Sequence, residues 1–269
     1  MPSIQFTSLH FVLFQICGFI ILVNFGYSEW TADKEDGHCV MYDQCGQGTF
    51  GQVNCLYNGS AQLLVNEETI KILKKICPEF QDEVYPRTCC SKLQVEKLLK
   101  DLKFPRRLGF GRCPSCIRNF QQMFCQLTCS PRQSRFLRVI ETKENDHGQT
   151  TVEELEYFIS LKYAEELFSS CENVEGIFPG TSLLKDMMCG IWGRKCNPQR
   201  WLEFMGSTPK NFGFSPFQIN YVLLNETEND IDGQLFYPMN EKTTKCSEPS
   251  ELEGEACLCK DCPLVCNSS

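Results

Sequence analysis

The chain has 269 residues, 42% of them hydrophobic and 22% charged, with a formal net charge of −8 and 19 cysteines. That length supports one large or two small domains with a real core, and the acidic balance argues against nucleic acid or an anionic membrane as the chief partner. So many cysteines point away from a reducing compartment and towards an oxidising one.

Residues Phe11 to Phe25 form an apolar run too short and too interrupted for a confident membrane span, and Gly26-Tyr27-Ser28 suits signal-peptidase cleavage. The expectation is a signal peptide over 1–28, with a signal anchor as the alternative because no Lys or Arg precedes the run. Cleavage removes Cys17 and leaves an even set of eighteen cysteines, for which nine disulfides is the natural count. Sequons at Asn58, Asn225 and Asn267 agree with the secretory pathway and predict surface glycosylation there.

From Cys39 to Cys55, glycines among polar residues predict loops or short strands pinned by cysteines. Asn66 is placed to cap a helix to about Ile76, with Ile70, Leu73 and Ile76 inward and Pro78 preventing continuation. Ser91-Lys-Leu-Gln94 is a capping-box pattern, opening a helix with Val95, Leu98, Leu99 and Leu102 on its apolar face. Between Cys113 and Phe136, the spacing of Cys116, Ile117, Phe120, Phe124 and Leu127 predicts a helix with one apolar face and the other wet. Pro114 suits its first turn, and Ser130-Pro131 closes it. Four cysteines, 113, 116, 125 and 129, thus sit on or at the ends of one helix, which can anchor several segments at once.

Overlapping capping boxes at Thr150 and Thr151 predict a long helix to about Cys171, bearing Leu155, Phe158, Ile159, Tyr163 and Leu167. Asn197-Pro198 opens a shorter helix with Trp201, Leu202 and Met205, stopped by Gly206. Period two enters with Phe217, Ile219, Tyr221 and Leu223, a strand signal. The tail from Cys246 has too few apolar residues for its own core, so disulfides must hold it. With no repeat and no low-complexity linker, the reading is a single α+β domain over 29–269, mostly helical with a small mixed sheet.

Cys113-x-x-Cys116 and Cys259-x-x-Cys262 invite a redox or zinc reading, but an oxidising compartment favours structural half-cystines. His38 and His147 lie in polar loop contexts, and no nucleophile elbow, phosphate loop or H-E-x-x-H occurs. Neither an enzyme nor a metal site is predicted. The apolar excess fits a plain packed core or an apolar ligand cavity walled by cross-linked helices, and composition does not choose between them.

Cys113-Pro-Ser-Cys116, Leu127-Thr-Cys-Ser-Pro-Arg-Gln-Ser134, the pair Cys89-Cys90 and the terminal Cys257-x-Cys259-x-x-Cys262-x-x-x-Cys266 together resemble the N-terminal luminal domains of the large Niemann-Pick type C cholesterol transporters, over roughly Cys39 to Cys266. The resemblance implies a domain that binds one cholesterol-like sterol with its hydroxyl buried and needs no cofactor. It also implies a small soluble Niemann-Pick type C carrier as donor, and a membrane reached through the rest of a longer parent protein if the chain is an excised domain. The implied place is the lumen of the late endosome or lysosome, or the extracellular face.

Carried over by position, the implied hydroxyl-binding amides are Asn54 and Gln94, with Gln44 standing where the family has a carboxylate. The implied apolar wall is Met41, where the family has a tryptophan, with Leu98, Ile117, Asn119, Phe124, Pro216, Phe217 and Ile219. Met187 and Met188 fall on the implied transfer surface. Each has a blander reading: Asn54 as a turn residue, Gln94 as the capping-box partner of Ser91, the methionines as core fillers. The implied disulfides are Cys39 with Cys89, Cys45 with Cys55, Cys77 with Cys125, Cys90 with Cys129, Cys113 with Cys257, Cys116 with Cys171, Cys189 with Cys196, Cys246 with Cys262 and Cys259 with Cys266. Two rivals remain: a secreted folate-type carrier, which wants a tryptophan-rich slot where this chain has only Trp30, Trp192 and Trp201, and a cysteine-rich interaction ectodomain without a cavity.

Overall fold

Cys39 opens a long strand, not a loop: β1 (Cys39–Gly48) pairs antiparallel with β2 (Gly51–Gly59). In the computed structural model, residues 37–48, 51–176, 178–250 and 254–268 are described, and those from His38 onward form one compact unit. The expected signal segment lies outside the described residues. Two short strands, β3 (Gln62–Leu63) and β4 (Arg87–Thr88), pair with each other. The larger sheet adds β5 (Leu137–Glu144), β6 (Thr150–Ser160) and β7 (Gln218–Leu224), while β8 (Asn229–Ile231) and β9 (Gln234–Phe236) form a separate hairpin.

β6 is the central strand, antiparallel to β5 on one edge and parallel to β7 along the other. β2 meets that second edge only at Cys55 opposite Thr151, before β7 takes over at Glu154. The sheet therefore forks, with the β1–β2 hairpin on one arm and β7 on the other. The helix expected from Thr150 is a strand as far as Ser160, and only Leu161–Cys171 is helical. Val152, Leu155, Tyr157, Phe158 and Ile159 are all buried, so both faces of β6 are covered. A strand buried on both faces loses its alternation, and positions 155, 158 and 159 then imitate helical spacing.

The seven helices among the described residues are α1 (Glu67–Ile76), α2 (Lys92–Asp101), α3 (Lys103–Leu108), α4 (Pro114–Cys129), α5 (Leu161–Cys171), α6 (Leu183–Met187) and α7 (Pro198–Gly206). Asn66 Oδ1 accepts from Thr69 N at 2.9 Å and Asn197 Oδ1 from Arg200 N at 2.9 Å, so the caps read from sequence start α1 and α7. The fold class is α+β, with nine disulfides joining the nine pairs named above.

α4 is the anchor, but its expected wet face is not wet. Ser115, Arg118, Asn119, Gln121, Gln122 and Gln126 are buried alongside the apolar residues. For three of them other segments supply partners: Ser115 Oγ donates to Lys245 O at 2.8 Å, and Arg118 pairs with Glu79 at 3.6 Å. Asn119 Nδ2 donates to Thr244 O at 3.0 Å and its Oδ1 accepts from Thr244 N at 2.8 Å. From β6, Tyr157 Oη donates to Met123 O at 3.0 Å, and from α5, Tyr163 Oη donates to Asn119 O at 2.6 Å. Burial pushes both phenols well above the ordinary tyrosine pKa, which keeps them protonated donors.

α7 lies against β7 so closely that a Cβ on Gly206 would sit 2.0 Å from Ile219 O. Backbone cannot yield as a flexible side chain does, so Gly206→Ala is expected to cost at least about 1–3 kcal/mol. A lowered midpoint in urea unfolding checks this; an unchanged midpoint would place Gly206 in a looser contact than described.

Candidate functional site

A cavity of about 380 Å³ lies at the fork of the sheet, within the roughly 300–1,000 Å³ usual for small-molecule sites. α2 presents Gln94, Lys97, Leu98 and Asp101 to it, residues three and four apart along one helical face. α4 contributes Phe120, Phe124, Leu127 and Thr128. The hairpin arm supplies Met41, Gln44, Gln52 and Asn54, and the β7 arm supplies Pro216, Phe217 and Ile219. Apart from Ser215 the remaining wall is apolar, so the lining is mostly apolar, with Gln44, Asn54 and Gln94 gathered at one end.

That end is set by a chain of amides. A bulge in β1 puts Asp43 at φ 64°, and its N–H donates to Gln94 Oε1 at 2.7 Å. Ser91 N donates to the same oxygen at 2.9 Å, completing the capping box at the start of α2. The capping-box reading of Gln94 is thus met: the cap consumes the oxygen and leaves the amide NH₂ for the cavity end. Gln94 Nε2 donates to Asn54 Oδ1 at 3.1 Å, and Asn54 Nδ2 to Met41 Sδ at 3.1 Å. Each amide has a second N–H, and the Asn54 oxygen a second lone pair. This set suits a neutral group that both accepts and donates, such as a hydroxyl. Gln44 is the cross-strand partner of Asn54 and lines the same end.

Two of the anticipated wall residues, Ile117 and Asn119, fall outside the lining. Ile117 is fully buried one layer behind, beside an apolar void that it shares with Phe120, Met188 and Trp201. Asn119 faces away from the cavity, fastened to Thr244 as described above, because an amide on α4 finds backbone partners in the tail. Met187 is 43% exposed off the lining, whereas the adjacent Met188 lines the cavity. Both Cys-x-x-Cys pairs are consumed by bridges to separate partners, which leaves no thiol there for metal or redox work.

A fork-walled apolar cavity inside this disulfide framework invites comparison with known proteins. The Niemann-Pick C1 N terminus family matches residues 36–269 of the chain. The chain belongs to that family. Human NPC1-like intracellular cholesterol transporter 1 is 33% identical over 257 residues, covering 91% of this chain and 18% of the relative. NPC intracellular cholesterol transporter 1 of Sus scrofa is 32% identical over 234 residues, covering 85% and 18%. NPC intracellular cholesterol transporter 1 homolog 1b of Drosophila melanogaster is 28% identical over 245 residues, covering 88% and 19%. The chain thus spans about a fifth of the length of the curated relatives it matches.

In this member of the Niemann-Pick C1 N terminus family, several lining residues were not anticipated. Lys97 and Asp101, paired at 2.7 Å, add charge at the margin of a site whose implied polar residues, Asn54, Gln94 and Gln44, are all neutral amides. They lie three and seven residues beyond Gln94, so the helical period alone could have found them. Phe104, Phe204 and Phe214 also line the cavity, and Phe204 packs edge-on against Phe214 at 6.0 Å. No sequence signal separated these phenylalanines from core residues.

Proposed function

We propose that the cavity binds one cholesterol-like sterol, hydroxyl end against Asn54, Gln94 and Gln44, hydrocarbon against the phenylalanine, methionine and leucine wall. The observation that carries this reading is the cluster of neutral amides at one end of a mostly apolar cavity, with the Lys97–Asp101 ion pair at its margin, in a chain whose relatives are named as cholesterol transporters. Burying about 400 Å² of sterol hydrocarbon at ~25 cal/mol per Å² gives a gross ~10 kcal/mol before association costs. The hydrocarbon sets affinity and the amides set orientation. A folate-type ligand has less support, because neither Trp192 nor Trp201 lines the cavity: Arg200 stacks over Trp192 at 4.3 Å, and Trp201 is core.

The same reading makes segment 1–28 a signal peptide and Asn58 and Asn225, both exposed, carriers of glycans in a luminal or extracellular compartment. Asn267 is the third candidate acceptor. Among the described residues, no helix is long and apolar enough to cross a membrane. The test of the ligand is native mass spectrometry of the secreted protein after incubation with cholesterol or folate. A retained sterol mass is expected, and its absence would sink the proposal.

Sterol arrives, on this reading, from a small soluble carrier that touches the exposed Met187 beside the mouth, with Met188 as the flexible side chain between surface and cavity. Met187→Gln, off the lining, is expected to slow carrier-to-protein transfer severalfold and to change equilibrium sterol binding little. Loss of equilibrium binding together with disrupted packing by circular dichroism would return Met187 to the core.

A further inference from the structure

Around the cavity mouth the chain reverses its own charge. Residues 97–107 and 185–214, which supply the mouth, hold ten Lys or Arg against three Asp or Glu in a chain whose net charge is −8. Lys100, Lys103, Arg107, Arg194, Lys195 and Lys210 are exposed, and among the three acids Asp101 is already paired with Lys97. Large apolar side chains stand among these cations. Phe104 and Phe214 line the cavity yet are 62% and 71% exposed, and Phe212 is 85% exposed.

Phe212 is also held at φ 65°, the left-handed region that a bulky side chain rarely adopts. The turn that imposes it is closed by Gly213 N to Thr208 O at 3.0 Å and Ser215 N to Ser207 O at 3.0 Å. At 85% exposure the ring gains little burial to offset that strain, and strain of that kind clusters at functional sites. We propose that this rim docks on an anionic phospholipid bilayer, Phe104, Phe212 and Phe214 entering the interfacial layer while the surrounding Lys and Arg meet lipid phosphates. Aromatic rings with flanking cations are the composition that binds such an interface. The purpose of docking rests on the sterol reading above, because a mouth pressed to the bilayer lets a sterol cross without entering water. The overall acidity that argues against anionic membranes describes the chain as a whole, and the rim is the exception to it.

The test is co-sedimentation of the secreted protein with sucrose-loaded vesicles of phosphatidylcholine alone or with about one-quarter phosphatidylserine, run without sterol. Partitioning is expected to be at least about tenfold stronger on the acidic vesicles and to fall with added salt. Lys103→Glu with Lys210→Glu should lower it about tenfold, and Phe212→Asn, which suits the left-handed backbone, about threefold. None of these three residues lines the cavity, so sterol retention by both variants should equal that of the parent chain. If the charge reversals lower the melting temperature, Lys103→Gln with Lys210→Gln gives the same reading at smaller amplitude. Equal partitioning on neutral and acidic vesicles, or variants that bind acidic vesicles as the parent does, overturns the proposal. So does a rim that ignores vesicles but captures a soluble sterol carrier through the same residues. Vesicle binding without sterol retention removes the ligand reading alone, and sterol retention without vesicle binding removes docking alone.

Discussion

Gln94→Ala is expected to weaken sterol binding about tenfold to a hundredfold, with Asn54→Ala close behind. Gln94 Oε1 holds Asp43 N and Ser91 N at 2.7 and 2.9 Å, so its amide cannot rotate away from the site. On the proposed sterol reading, removing it deprives a buried hydroxyl of a donor, a loss of ~1–3 kcal/mol, and it leaves the Asn54 oxygen without its present partner at 3.1 Å. Asn54→Ala in turn strands the Gln94 amine. The control that isolates the hydroxyl is a sterol lacking it, against which both variants should bind about as well as the parent chain. Titration of each protein with hydroxylated and deoxy sterol decides the matter. If the alanine variants lost affinity equally for both sterols, the cavity would have collapsed and the orientation assigned to the amides would be unsupported. Because Gln94 also completes a cap, its loss should cost ~1 kcal/mol of stability, so the titrations belong well below the melting temperature.

The local signals that survived folding were those whose physics is local. Asn66, Ser91 and Asn197 satisfy the first backbone N–H groups of their helices whatever packs outside, and so α1, α2 and α7 were legible. β6 was not, because being covered on both faces erased the alternation that marks a strand, and the Thr150 and Thr151 capping patterns had no helix to cap. β5, an edge strand with most of Val139 to Glu144 half-buried or exposed, offered little hydrophobic pattern at all. The cavity followed the same rule. Residues on the α2 face or beside the amides could be placed from helical period and resemblance, whereas Phe104, Phe204 and Phe214 reach it from loops and helix ends whose positions depend on the Cys189–Cys196 loop and the α7–β7 contact. Asn119 was misplaced for a related reason: whether an amide on α4 meets ligand or tail depends on which segment covers that face.

The covering tail leads to the other large effect expected. Among the described residues, Cys113–Cys257 is the one disulfide that ties the tail beyond Cys246 to the body, since Cys246–Cys262 and Cys259–Cys266 close within it. Its partners are 144 residues apart, a separation for which the chain-entropy estimate is about 5 kcal/mol, less once the other bridges shorten the effective loop. Cys113→Ala with Cys257→Ala is therefore expected to cost about 3–5 kcal/mol of stability. The contacts that remain include the buried Asp261, which accepts from Glu175 N at 3.0 Å and faces Arg112 at 3.3 Å, and, at the residues leading into the tail, the bonds of Ser115 and Asn119 to Lys245 and Thr244. Those bonds sit on the polar face of α4, the face that reads as wet in sequence and would become so without the tail. Phe120, Phe124, Leu127 and Thr128 meet the cavity from elsewhere on the helix, and Ser115 lies about half a turn from Phe124. The double variant should then melt markedly lower and be cut by trypsin after Lys245 or Lys260, yet retain sterol at temperatures where the body stays folded. Sterol binding lost in step with the tail would show that the tail shapes the cavity through α4, and an undiminished melting temperature would mean the non-covalent contacts already suffice to hold it.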